Sequence, residues 1–173
     1  MTLLEKFSQV KVFAFDIDGV LTDGNLYLLD NGEQVRRMNI KDGFALQLAI
    51  KKGYQVVIIS GSYSEPALNR LNKLGISDIY MRITDKAACL ETYLRDKNIP
   101  LSQVLFMGDD IPDFSVMNQV GIAACPKDAV GEIRNCSQYV SRFEGGAGCV
   151  RDVIEKVLKL NNHWELETNI ASR

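Results

Sequence analysis

Three apolar runs constrain this chain more than any other feature: "VFAF" at Val12–Phe15, "QVVIIS" at Gln55–Ser60 and "VLFM" at Val104–Met107. A strand with one wet face alternates apolar and polar residues, whereas these runs are almost continuously apolar, as strands covered on both faces must be. Shorter extended candidates stand at Ile79–Tyr80 and near Gly121–Ala124. Helical segments separate them and have clear ends. The segment Asp42–Lys52 stops at Gly53, and the next has Ser64 as N-cap, Pro66 in its first turn and Gly75 just past its end. Asp85–Lys97 ends before Pro100, and Asp152–Leu160 follows near the C-terminus. Alternation of this kind predicts an α/β fold, a parallel sheet with helices on both faces.

One segment breaks the alternation. Residues 25–39, "NLYLLDNGEQVRRMN", read as two extended arms around an Asn-Gly turn. This predicts a β-hairpin, at about 25–38, inserted after the first strand. The length of 173 residues suits a single domain spanning 1–173. From about residue 161 the polar run "NNHWELETNIASR" is expected to be a poorly ordered tail. A net charge of −2 gives no basic footprint for nucleic acid and no polybasic membrane patch. No stretch approaches a membrane-spanning length, and the N-terminal residues lack a signal peptide's pattern. Cys89, Cys125, Cys136 and Cys149 form no C-x-x-C pair, which fits reduced thiols in a cytoplasmic protein.

In an open parallel sheet, ligands bind beyond the carboxyl ends of the strands. The first strand ends in Asp16 and Asp18, the second in Ser60 and Gly61, and the run at Val104 in "GDDIPD", while Lys86 opens the helix after the third strand. Asp16, Asp18, Asp109, Asp110 and Asp113 would then crowd one edge and repel each other unless a cation sat among them. Oxygen donors of this kind suit Mg²⁺. Asp113 and Asp42 have an equally good reading as cap and turn residues. Gly19 and Gly61 permit close backbone approach. His163, beside Trp164 in the tail, is expected to be incidental.

In order along the chain, "DIDG", "ISG", "DKAAC" and "GDDIPD" resemble the four motifs of the haloacid dehalogenase superfamily of phosphotransferases. That resemblance implies a Rossmann-like sheet and an aspartyl-phosphate mechanism. Asp16 would be the nucleophile and Asp18 the proton donor and later the base. Ser60 and Gly61 would hold phosphoryl oxygens, and Lys86 would neutralise charge. Asp16 and Asp109 would bind Mg²⁺ through side chains, and Asp18 through its carbonyl, which would leave the Asp18 side chain free. The interval between Asp18 and Ser60 holds only the hairpin and one helix, and that between Ser60 and Lys86 a helix and a short strand. Neither has room for a cap domain.

From about Val10 to Leu160 the chain also resembles the capless 3-deoxy-D-manno-octulosonate 8-phosphate phosphatase family. The matching stretches are "FDIDGVLTDG", "NIKDGFALQLA", "GDDIPDFSVMNQVGIAACPKDA" and "EGGAGCVRDVIEKVL". That resemblance implies Mg²⁺ dependence, a role in lipopolysaccharide sugar synthesis and a homotetramer, with the "EGGAGCV" region near a neighbour's pocket. It implies substrate contacts at Asp18, Asn39, Ile40, Lys41, Asp42, Gly43, Ser62, Arg70 and Lys86. Arg70, Lys41 and Asp42 also read as ordinary helix residues. Two positions depart from the family pattern: Ser62 stands where T-G-R places an arginine, and Gln47 where a basic residue is common. A nine-carbon sugar-acid 9-phosphate therefore remains an alternative substrate. More distant alternatives are a receiver-type phospho-accepting domain and a catalytically idle oligomerisation module. The serine that ends "VVIIS" argues against the first, and the intact Asp16, Asp18, Lys86 and Asp109 set against the second.

Overall fold

The computed structural model describes residues 1–171; the last two positions of the expected tail lie outside the described residues. The chain opens with α1 (Leu3–Ser8) and β1 (Val12–Phe15), then a short hairpin of β2 (Tyr27–Leu28) and β3 (Gln34–Val35). Next come α2 (Ile40–Lys51), β4 (Gln55–Ile59), α3 (Glu65–Lys73), β5 (Asp78–Tyr80) and α4 (Lys86–Lys97). The last part contains β6 (Val104–Met107), α5 (Phe114–Met117), β7 (Ile122–Cys125), α6 (Gly131–Cys136), β8 (Tyr139–Val140) and α7 (Cys149–Leu160).

Six strands form one sheet in the order β5-β4-β1-β6-β7-β8, and every pair in it is parallel. The three apolar runs are its central strands, and nearly all their residues are buried. Alternate side chains of each strand feed two separate cores. Phe13, Phe15, Val56 and Ile58 meet α2, α3 and α7 on one face, while Val12, Ala14, Val57 and Ile59 meet α4, α5 and α6 on the other. Continuous apolarity was needed because both faces are covered.

Local chemistry moves several boundaries. The Asn39 side chain accepts from the Lys41 N–H and caps α2, which therefore starts two residues before the expected Asp42. Gly148, with φ 110°, lets α7 begin at Cys149, ahead of Asp152. Elements α1, α5, α6 and β8 were not anticipated, being too short to show a period. Residues 161–171 of the tail lie along α2, where Trp164 packs edge-on against Phe44 at 6.1 Å and Glu165 and Glu167 pair with Lys52 and Lys51. Its apolar anchors, Trp164 and Ile170, stand singly among polar residues and leave no pattern to read. His163 bonds the Tyr54 hydroxyl at 3.0 Å, away from the strand ends. All four cysteines are free.

The hairpin stands off the main sheet. Tyr27 pairs with Val35 and Leu28 with Gln34, and Leu26, Tyr27, Leu28, Leu29 and Val35 are all exposed. No cap domain lies between the strands among the described residues.

Candidate active site

Register brings the acidic residues together. Phe15 pairs with Met107 on one side of β1 and with Ile58 on the other, so the chain leaves β1, β4 and β6 at the same level. The Asp16 N–H extends the ladder by donating to the Met107 carbonyl at 3.1 Å. Asp16 thus emerges between Ser60, just past β4, and Asp109, just past β6. A cavity of about 260 Å³ opens here, lined by Asp16, Asp18, Ser60, Lys86, Asp109 and Asp113, among others.

Asp16 is buried and held from two sides. Its Oδ1 accepts from the Ile17 N–H at 2.7 Å, and its Oδ2 lies 2.9 Å from Lys86 Nζ. Lys86 also pairs with Asp113 at 2.6 Å. Burial pushes the Asp16 carboxyl up to about 6, aided by the Asp113 charge and opposed by Lys86. Burial works against the Lys86 charge as well, but Asp16 and Asp113 outweigh it and hold the lysine above its ordinary value. One buried cation is therefore shared between two buried carboxylates.

Asp113 resolves in favour of a framework role. It is fully buried, and its Oδ2 accepts from the Asp109 N–H at 3.1 Å while its Oδ1 takes Lys86. It fixes both the loop after β6 and the lysine. Asp109, by contrast, has a buried Oδ1 with no partner. Burial, then the charges of Asp16, Asp113 and Asp110, push its carboxyl up to about 8. Gly19, at φ 85°, lies against it so closely that any Cβ would strike the Asp109 carboxylate. Carboxylate oxygens of Asp16, Asp109 and Asp113 lie within 4.8 Å of one another. An unsatisfied buried oxygen on Asp109, within an all-oxygen set that also holds Asp16 and Asp113, fits a hard divalent cation.

The Asp18 side chain, expected to be kept off the metal for proton transfer, is hydrogen-bonded: Oδ1 accepts from Arg36 Nε at 2.7 Å, and Oδ2 accepts from the Ser62 hydroxyl at 2.7 Å. Arg36 comes from the hairpin and had no signal in the sequence beyond a charged arm. Ser60 is buried, with its hydroxyl 3.2 Å from that of Ser62. Behind this turn, the Gly146 N–H donates to the Val20 carbonyl at 2.9 Å, and a Cβ on Gly145 would collide with the Gly19 carbonyl. Within this chain the "EGGAG" segment therefore backs the Asp18–Gly19 turn.

The other expected contacts spread outward. Gly61 and Ser62 line the small cavity with the carboxylates. Ile40 and Arg70 instead line a larger one of about 840 Å³, between the hairpin and α3, which Arg36 joins to the acid pocket. Asn39 is spent on the α2 cap, and Gly43 lies under Arg70, whose Nη2 would be 3.2 Å from a Cβ there. Lys41 is exposed at the start of α2. Gln47 donates to the Ala171 carbonyl at 3.1 Å, within the tail contact. Asp42 is turned away altogether. It is buried and accepts from the Arg151 N–H at 2.7 Å at the start of α7, and burial pushes its carboxyl up to about 6.

A six-stranded parallel sheet that gathers carboxylates, a lysine and a serine at four neighbouring strand ends defines a haloacid dehalogenase-like hydrolase. Residues 72–150 match that family. The chain is 30% identical over 169 residues to the 3-deoxy-D-manno-octulosonate 8-phosphate phosphatase of Yersinia pestis, covering 98% of this chain and 90% of that protein. It is 31% identical over 156 residues to the same enzyme of Escherichia coli K12, covering 90% and 83%. The crystal structure of the Yersinia pestis phosphatase superposes with a TM-score of 0.93, covering 97% of this chain and 91% of that one. The Moraxella catarrhalis phosphatase, solved with a magnesium ion, a phosphate ion and the octulosonate sugar, gives 0.89 at 32% identity, with 92% of each chain covered. This chain belongs to the 3-deoxy-D-manno-octulosonate 8-phosphate phosphatase family and is a phosphomonoester hydrolase.

Proposed function

We propose that this enzyme hydrolyses 3-deoxy-D-manno-octulosonate 8-phosphate through an aspartyl-phosphate on Asp16, in the synthesis of the lipopolysaccharide sugar. The observation that carries the reading is the placement of Asp16 at the floor of the acid pocket, aimed by the Ile17 N–H and Lys86 and two residues from a second carboxylate.

In this mechanism an Asp16 oxygen attacks phosphorus and the bond from phosphorus to the sugar oxygen breaks. Asp18 hands its proton to that leaving oxygen. Asp18 then takes a proton from water as the water attacks the aspartyl-phosphate, which releases inorganic phosphate and restores Asp16. Lys86 offsets negative charge beside the nucleophile, and the Ser60 hydroxyl holds a phosphoryl oxygen. Asp113 keeps Lys86 in place. Mg²⁺, held by Asp16, Asp109 and the Asp18 carbonyl, would supply the charge that lets a carboxylate approach a phosphoryl dianion.

Phosphate release from a panel of eight- and nine-carbon keto-acid phosphates tests this reading. Preference for the octulosonate phosphate, loss of activity in EDTA and no support from Ca²⁺ are expected. Full activity in EDTA would sink it. Ser62, whose hydroxyl donates to Asp18, departs from the octulosonate pattern and keeps the nine-carbon reading as the alternative; preference for a 9-phosphate would select it.

The hairpin supports a homotetramer in which neighbours complete the open pocket. Leu28, 72% exposed, and Tyr27, 56% exposed, stand on a two-stranded ribbon that such a short pairing could not hold alone in water. Four such hairpins meeting edge to edge would cover them, and sedimentation should then report four chains. A single cytoplasmic domain is the setting we infer, and among the described residues no helix is long and apolar enough to cross a membrane.

A further inference from the structure

Arg36 occupies an unusual position for a hairpin residue. Its neighbour Arg37 keeps 67% of its side chain in solvent, while the Arg36 side chain keeps 8%. It is drawn inward onto Asp18, with Nε 2.7 Å from Oδ1 and Nη2 3.4 Å from Oδ2. The Ser62 hydroxyl takes up the remaining direction on Oδ2. With Arg36 and the Ser62 hydroxyl both donating to it, a leaving oxygen has to compete with these partners for the Asp18 side chain. The contact seen here is one that a substrate able to draw Arg36 away would relieve.

The same guanidinium lies on the wall of the larger cavity between the hairpin and α3. Arg70 lines that cavity too, as its other basic residue. A sugar-acid phosphate brings two anionic groups. Its phosphoryl group belongs with Asp16 and Lys86, and its carboxylate needs a planar donor fork.

We propose that Arg36 is a specificity-determining switch, latched on Asp18 until the carboxylate of a sugar-acid substrate in the cavity beside α3 draws its guanidinium away and frees Asp18 for proton transfer. This rests on the phosphatase reading above and adds to it a reason why the correct substrate reacts faster. The exchange trades one carboxylate partner for another, so its free-energy change is small, as a switch requires. A phosphate ester without a carboxylate cannot make the trade and has to break the latch uncompensated.

The test compares wild type, Arg36→Ala and Arg36→Lys on the octulosonate phosphate and on p-nitrophenyl phosphate, which lacks a carboxylate. Arg36→Ala should lower kcat/KM for the sugar-acid phosphate by about thirtyfold or more and raise kcat for the aryl phosphate severalfold. Arg36→Lys, which keeps the charge without the fork, should fall between on both substrates. Equal losses on both would make Arg36 a mere support for Asp18 and overturn the switch, as would no change on either. Magnesium-dependent phosphate release by wild type from both substrates tests the phosphatase reading separately, because that result does not depend on the opposite signs expected of Arg36→Ala.

Discussion

Asp16 and Asp18 stand two residues apart, yet their partners come from different parts of the molecule. Asp16 is held by Lys86, the first residue of a helix packed on the sheet, and the lysine is held in turn by a fully buried Asp113. Asp18 is held by Arg36, from an exposed hairpin outside the main sheet. The first set of contacts comes with the core and cannot form without it. The second depends on a ribbon with little packing of its own. In the proposed mechanism, catalytic charge is thus fixed by the core, while the group assigned to proton transfer would answer to the hairpin.

Breaking the core side should have the largest effect. Asp16→Asn removes the attacking oxygen and is expected to lower kcat by a factor on the order of 10⁴ or more while the fold survives, as circular dichroism would show. Retention of a tenth of wild-type activity would remove Asp16 as nucleophile. Lys86→Met should register in stability as well as rate. It leaves Asp16 and Asp113 buried without their shared cation, a loss of about 3–5 kcal/mol in urea unfolding without metal. A loss under about 1 kcal/mol would show that the two carboxylates do not depend on Lys86.

The hairpin side should give the opposite pattern. Replacing residues 25–38 with a short Gly-Ser linker is expected to change subunit stability by less than about 1 kcal/mol, since few of those side chains reach the core. It should abolish the proposed assembly and flatten the ranking of substrates, which sedimentation and the phosphate-release panel would read. Unfolding of the isolated subunit would contradict the division between core and ribbon.

The smallest effect concerns a third buried carboxylate, outside the acid pocket. Asp42 faces the N-terminus of α7, with its carboxyl pushed up to about 6 by burial. A group whose folded value is raised contributes stability that is present at low pH and lost as pH rises through the folded value. Wild type should therefore lose about 1–2 kcal/mol relative to Asp42→Asn as pH rises from about 4 to 7. Parallel stability curves for the two proteins would mean that Asp42 is not strained by burial.

Much of this was legible in the chain because its signals were local. Continuous apolar runs gave the central strands, and the carboxylates at their ends marked the edge where a charged ligand belongs. Asp113 could not be assigned from its neighbours, because its part depends on meeting Lys86 from a separate helix. Asp42 looked like a site residue from its place in "NIKDG", but α7 packs against α2 and takes it. Arg36 carried no sequence signal, since inward and outward arginines look alike on a polar arm.

The sequence by itself determined the parallel sheet, the inserted hairpin and the acidic edge, because burial on two faces and turn chemistry act over a few neighbouring residues. Only the tertiary structure decided which cation each carboxylate received. Charge pairing is set by distances between elements far apart in the chain, and those distances exist only once the sheet has fixed its register and the helices have packed against it.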